Sequence, residues 1–293
     1  MSVKSILCIF GGLPEELNAL NMAFALAELH QAQVRFLHIS PDISGYVGIY
    51  GGAVMLDSGL ISGFEGENRA RLERAKQLVA SFAAKHRVEL DAAATPQHHV
   101  AARFVHRSGV IADIVAHEGR LSDLIVMSRG IAAPETSEDP NVLAALFDTG
   151  RPVVLLPATQ HPTIMPWQDR NVAVAWDGSL EAARALYHAR PYLERAELLY
   201  VLCVQDNGTQ HEPEAMRGIL DYLETHCSGA PQLVFINRKA DMVAQVLLRK
   251  AKELKIDLLV MGAFGHSRLR EMLLGGTTNF MLNQADVPLL LAH

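Results

Sequence analysis

Residues 123–127 read Asp123-Leu124-Ile125-Val126-Met127, and residues 257–261 read Asp257-Leu258-Leu259-Val260-Met261. The second copy follows at an offset of 134 positions and exchanges one Ile for Leu. Behind each copy a further apolar run recurs: Pro152-Val153-Val154-Leu155-Leu156, then Pro288-Leu289-Leu290-Leu291-Ala292, at an offset of 136. Self-similarity of this kind means that one folding unit occurs twice in the chain. Ahead of each copy the pattern also matches. Ile6–Phe10, a helical stretch from Glu15 to Gln31 and Val34–Ile39 correspond to Val172–Trp176, a helical stretch from Leu180 to Arg195 and Leu198–Cys203. Here the offset is 164 (Ala196 against Ala32), so the first half carries an insertion of about 30 residues. It falls after Ile39, where Gly45, Gly48, Gly51, Gly52, Gly59, Gly63 and Gly66 cluster and read as a long loop, with or without a short irregular helix.

The rest of each half predicts strands and helices in alternation. Glu67–Arg87 and Arg103–Glu118 read as helices in the first half, as do Glu212–His226 and Ala240–Leu254 in the second. Glu89–Ala94 and Gln232–Ile236 read as short strands. Such alternation gives right-handed βαβ units and a parallel sheet, whose strands are apolar throughout because both faces are covered. The expected fold is α/β, with two tandem five-stranded parallel sheets flanked by helices, one per half. The domains are expected at 1–158 and 168–293, joined by the polar, proline-containing stretch 157–170.

Composition narrows the function. The 293 residues carry a net charge of −6 with acids and bases interspersed, which argues against electrostatic capture of nucleic acid or an anionic membrane. No apolar run reaches the ~18 residues of a membrane span. The run Ile6–Phe10 ends in Gly11-Gly12 without a cleavage pattern and reads as a strand, not a leader. Cys8, Cys203 and Cys227 are scattered and odd in number, as expected of reduced thiols in a cytoplasmic protein. Thirteen histidines include His98, His99, His106 and His117, but no metal-ligand spacing accompanies them.

In open parallel sheets, ligands sit beyond the C-terminal strand ends, where strand order reverses. Two such ends in the second half stand out. The first strand closes in Trp176-Asp177-Gly178-Ser179. The fourth closes in Met261-Gly262-Ala263-Phe264-Gly265-His266, and nine residues separate Gly265 from Gly275, after which Gly276, Thr277 and Thr278 open a helix. Glycines admit close approach of an anion, and free amides at a helix start attract it. Thr277 and Thr278 supply hydroxyls, and the Asp177 carboxylate can accept hydrogen bonds from a ribose or base. Ser179 beside Asp177 reads as a helix cap.

The Gly262/Gly265/Gly275 spacing, the Asp177-Gly178-Ser179 strand end and the closing strand Val287–Leu291 together resemble the universal stress protein family. The resemblance runs over nearly the whole chain as a tandem pair and implies a Rossmann-like fold of the adenine nucleotide alpha hydrolase kind. It further implies an adenine nucleotide ligand, ATP or AMP or ADP, alone or with Mg²⁺. Some branches of the family bind none. By this resemblance Asp177 and Val204 would hold the adenosine end. Gly262, Gly265, Gly275, Thr277 and Thr278 would hold the phosphates, with Met261 and Gly276 counted among the nucleotide-binding residues. The resemblance also implies pairing of the two halves through their last strands, with or without a further homodimer, and a regulatory role in stress survival. The rival readings are a slow ATPase or other nucleotide-using enzyme on the same fold, and a nucleotide-free structural or partner-binding protein. Three features depart from the family pattern: Gly276 stands where a hydroxyl residue is usual, and Trp176 and Phe264 are bulky beside the expected site. The first half ends its first strand in Phe10-Gly11-Gly12-Leu13-Pro14 and surrounds its fourth-strand loop with Glu135, Glu138 and Asp139. No ATP is expected there.

Overall fold

The computed structural model describes residues 3–42, 58–91, 100–129, 139–157, 170–206, 216–227, 229–265 and 276–293. Contacts divide them into two compact units, one within Ser2–Arg151, the other of Pro152–Pro157 with the described part of Pro166–His293.

The first unit holds strands β1 (Ser5–Ile9), β2 (Gln33–Pro41), β3 (Ala101–Gly109) and β4 (Leu124–Ser128). All are parallel, with β1 between β2 and β4 and β3 outside β2. Its helices are α1 (Leu17–His30), α2 (Ser58–Lys85), α3 (Ile111–Gly119) and α4 (Pro140–Phe147). Ile6, Leu7 and Cys8 of β1 and every residue of β4 are buried, as strands covered on both faces require.

In the second unit β5 (Val153–Leu156) joins β6 (Arg170–Ala175), β7 (Ala196–Gln205), β8 (Gln232–Asn237), β9 (Leu258–Gly262) and β10 (Leu289–Ala292). β6 lies between β7 and β9, with β8 outside β7 and β10 outside β9, all parallel. β5 runs antiparallel along β10, pairing Leu155 with Leu289, Val154 with Leu290 and Val153 with Leu291. The closing strand of the first half of the sequence is thus part of the second unit's sheet. The helices are α5 (Leu180–Leu193), α6 (Arg217–His226), α7 (Val243–Glu253) and α8 (Gly276–Gln284). Among the described residues no helix is long and apolar enough to cross a membrane.

The repeated aspartate has the same task in both units. Asp123 Oδ2 accepts the Lys4 and Ser5 amides at 2.8 and 3.0 Å, and its own amide donates to Ser5 O at 2.7 Å. Asp257 Oδ2 accepts the Asn171 amide at 3.1 Å, and its amide donates to Asn171 O at 2.8 Å. Each clamps the start of a strand flanked on both sides, β1 in the first unit and β6 in the second, at the N-terminal ends of the strands.

Three expectations are corrected. Residues 103–109, predicted to open a helix, extend β3, and helix begins only at Ile111. β3 is registered on β2 along its whole length and leaves Arg103, His106, Arg107 and Ser108 exposed, so an outer strand open on both faces at its end carries polar residues at near-helical spacing. Gly109, at φ 144, makes the break. The strand expected at Glu89–Ala94 amounts to an isolated bridge from Leu90 to Ala102, and residues 92–94 lie outside the described residues. Helix α2 starts at Ser58, before the expected Glu67, and takes in Gly59, Gly63 and Gly66. Gly45, Gly48, Gly51 and Gly52 lie outside the described residues.

Candidate functional site

β6 and β9 are neighbours, but the chain leaves them in different directions: β6 runs into α5 and β9 into the loop before α8. This is the switch point of the second unit's sheet. The Trp176 amide donates to Leu202 O at 2.9 Å, the last rung joining β6 to β7. Gly178 then takes φ 75, a left-handed turn that L side chains rarely adopt. The first unit repeats this with Phe10 N to Leu37 O at 3.0 Å and Gly12 at φ 86. Asp177 sits exposed at the turn, and its Oδ1 accepts the Ser179 amide at 2.9 Å. Ser179 caps α5, its Oγ accepting the Ala182 amide at 3.1 Å, as the sequence predicts. Burial pushes the Cys203 thiol up to about 11, and the Asp177 carboxylate adds to the effect. Val204 follows on β7, half-buried and registered against Ile236. Beyond it, Asp206 forms an ion pair with Arg238, whose hydrogen bond lowers the carboxyl below its ordinary value.

Met261 is buried and registered against Ala175 on β6 and Leu291 on β10. Gly262 touches the start of α5: a Cβ there would lie 2.5 Å from the Ala182 nitrogen and 2.7 Å from the Glu181 carbonyl carbon. The first glycine of the pattern is therefore required by packing. At Gly265 a Cβ would lie 3.2 Å from Glu181 Oε2 and 3.6 Å from Ser179 Oγ. The Ala263 amide donates to Ala292 O at 2.9 Å, and the His293 ring meets Ala263 O at 3.0 Å. Phe264 takes φ 59, and its amide donates to Thr278 Oγ1 at 3.1 Å. Two amides of the glycine loop are thus used within the fold, and the buried Thr278 hydroxyl accepts one of them. Gly276 is exposed at the head of α8, with nothing within 4 Å of a Cβ placed on it, and Thr277 beside it is half-buried. Trp176 is half-buried. Gly275, with the rest of 266–275, lies outside the described residues.

The corresponding edge of the first unit is filled from within. Glu16 Oε2 accepts the Gly11 amide at 2.8 Å and the Leu13 amide at 3.0 Å, the position an anion would occupy at such a turn. Burial raises the Glu16 carboxyl above its ordinary value, against the pull of those two amides and of Arg71. A Cβ on Gly12 would meet the Arg71 carbonyl at 2.8 Å and Ala75 at 3.1 Å, so α2 closes over the turn. Asp139, read from sequence as a charge repelling phosphate, caps α4 by accepting the Asn141 amide at 2.9 Å. Pro134, Glu135 and Glu138 lie outside the described residues.

Of the histidines, His98 and His99 are outside the described residues, and His106 lies on β3 instead of a helix. His106 faces His38 at 5.9 Å between ring centroids, and its Nε2 meets Ser40 Oγ at 3.0 Å. His38 is buried, its Nδ1 against Phe10 O at 3.1 Å. Among the described residues no group of three His, Cys, Asp or Glu side chains could hold a metal ion. Sequence reading missed Glu181 and Glu16 as site residues, because an acid in a first helical turn looks like a response to the helix dipole. It also missed the Asp206–Arg238 pair, whose members lie on different strand ends.

Comparison with known proteins agrees with this architecture. The family model described as "Universal stress protein family" matches residues 170–293. Universal stress protein Slr1230 of Synechocystis is 26% identical over 190 residues, which are 64% of this chain and 63% of that relative's length. A universal stress protein from Archaeoglobus fulgidus superposes with a TM-score of 0.66 at 15% identity, covering 98% of this chain and 95% of its own. A functionally unknown protein from Pseudomonas aeruginosa PAO1 superposes with a TM-score of 0.58 at 18% identity, covering 99% and 92%. At these identities the two structures establish the fold. Residues 170–293 are thus the part of the chain that is similar to the universal stress protein family.

Proposed function

We propose that the second unit binds an adenine nucleotide at the switch point between β6 and β9, and that the protein acts in a stress response through this binding and not through turnover. The observation that carries the proposal is the meeting of three features at one strand edge. They are the exposed Asp177 carboxylate, the break of β9 at Gly262, and the exposed start of α8 at Gly276. Asp177 and Val204 would take the adenosine. The backbone from Gly265 onward, Gly275, Gly276 and Thr277 would take the phosphates, with Met261 and Gly262 forming the floor. Mg²⁺, where it accompanies the nucleotide, would ride on the phosphates. The left-handed Phe264 supports the reading, because backbone strain of roughly 1–3 kcal/mol is commonly kept at binding sites.

The test is a thermal-shift titration of the full chain with ATP, ADP and AMP at up to millimolar concentration. Ligand binding to the folded state raises the melting temperature in proportion to RT ln(1 + [L]/Kd). A rise that Asp177→Ala abolishes is expected. A folded protein that shows no shift with any of the three removes the reading. One observation favours a nucleotide-free partner-binding role instead: the Ala263 and Phe264 amides already have partners within the fold.

A further inference from the structure

β3 is the outer strand of the first unit, with β2 on one side. Its other side is closed over the first half of the strand. The Asp91 amide donates to Ala102 O at 2.8 Å, Asp91 Oδ1 accepts the Phe104 amide at 3.1 Å, and Leu90 bridges to Ala102. These bonds fix Ala102 and Phe104 as residues whose main-chain groups turn outward. The period of two then turns those of His106 and Ser108 outward as well. Among the described residues none accepts the His106 or Ser108 amide, so the second half of the edge is open.

Charge gathers at this open half. Arg103, Val105 and Arg107 share one face of β3, and Arg35 on β2 is registered against Arg103. Glu118 of α3 takes Arg35 Nη1 at 2.7 Å and Arg107 Nε at 2.8 Å, so one carboxylate answers two guanidinium groups. Arg107 Nη1 also donates to His106 O at 3.1 Å, which holds that guanidinium at the edge itself and leaves the carbonyl its second lone pair. Arg103 is exposed and has no ion pair among the described residues. A second copy of β3 would bring the same arginines against these and be repelled.

We propose that the open half of the β3 edge is an interaction surface for an extended acidic segment of a partner protein, which adds to the sheet as a further strand. Main-chain bonds to His106 and Ser108 would hold it, and side chains would select it. Arg103 and Arg107 lie four residues apart on one face with Val105 between them. The partner therefore carries two acids at the same spacing with an apolar residue midway. The surface belongs to the first unit and is independent of the nucleotide reading above.

The experiment is fluorescence anisotropy with the full chain, titrated to millimolar concentration against two labelled peptides. One is Thr-Thr-Glu-Thr-Val-Thr-Glu-Thr-Thr, the other the same sequence with lysine for both glutamates. The acidic peptide should bind roughly tenfold more tightly or better, and Arg103→Glu should remove about tenfold of its affinity. Ser108→Pro deletes an outward amide without touching the ladder to β2, and should weaken binding by about tenfold or more. Peptides N-methylated at alternate residues test the same point on the unaltered protein: one phase of methylation should abolish binding and the other spare it. Absence of binding by the acidic peptide, or equal binding of the lysine peptide, overturns the inference. Binding that survives both methylation phases is charge attraction without strand addition and overturns it too.

Discussion

Gly262→Ala separates a glycine kept for packing from one kept for a ligand. The added methyl would sit 2.5 Å from the Ala182 nitrogen, 2.7 Å from the Glu181 carbonyl carbon and 2.8 Å from the Glu181 Cβ. Two of these atoms are backbone in the first turn of α5, so no rotamer change relieves the contact, and strand and helix must move apart by about an ångström. Overpacking of this kind costs about 1–3 kcal/mol. At a few degrees per kcal/mol for a unit of this size, the melting temperature should fall by roughly 5–10 °C. Gly276→Ala is the control, because its methyl meets nothing within 4 Å. It should melt within about 2 °C of the wild type. The measurement is scanning calorimetry of the ligand-free chain. A Gly262→Ala protein that melts within about 1 °C of the wild type would refute the close approach, and with it the placement of Glu181 on the loop.

Asp123→Ala should destabilise the first unit by about 1–3 kcal/mol, since the Lys4 and Ser5 amides lose their acceptor. Urea denaturation reads this, and an unchanged midpoint would contradict the clamp. The first unit should also be acid-labile through the His38–His106 pair. Burial lowers both imidazoles below the ordinary 6.5, and Lys76 adds to the effect on each, Arg71 on His38 and Arg107 on His106. The unfolded chain takes up protons near pH 6.5 that the folded one refuses, so stability falls as pH drops through 6.5 toward the folded values. Glu16, raised by burial, acts with the opposite sign at lower pH. His38→Gln should flatten the fall in melting temperature between pH 7.5 and 5.5, and an identical slope in wild type and variant would exclude the pair as its cause.

The fold was legible where burial is two-sided. Leu124–Met127 and Leu258–Met261 admit only one reading, because an unbroken apolar run ahead of a glycine or polar loop fits a covered strand. Legibility failed at β3, the outermost strand beside β2, where exposed residues fall on both faces and Arg103, His106 and Arg107 blur the period. The site's outline was likewise readable: Asp177 at a strand end and the glycines on the neighbouring strand come to one edge because the sheet is parallel. What spacing could not convey is which atoms the fold claims for itself. Gly262 is held small by a helix, the Thr278 hydroxyl takes the Phe264 amide, and Glu16 fills its own turn. These follow from distances between segments remote in sequence.

The antiparallel pairing of β5 with β10 bears on when the protein can mature. Leu155 must wait for Leu289, 134 positions downstream, before its rung can form. During synthesis at roughly 5–20 residues per second, the finished Val153–Leu156 segment stands for several seconds as an apolar ribbon with no counterpart on that side. Contacts of such sequence separation form late and slowly. A nascent chain arrested short of residue 289 should leave the amides of that ribbon open to rapid hydrogen exchange, and offers chaperones a defined stretch to hold.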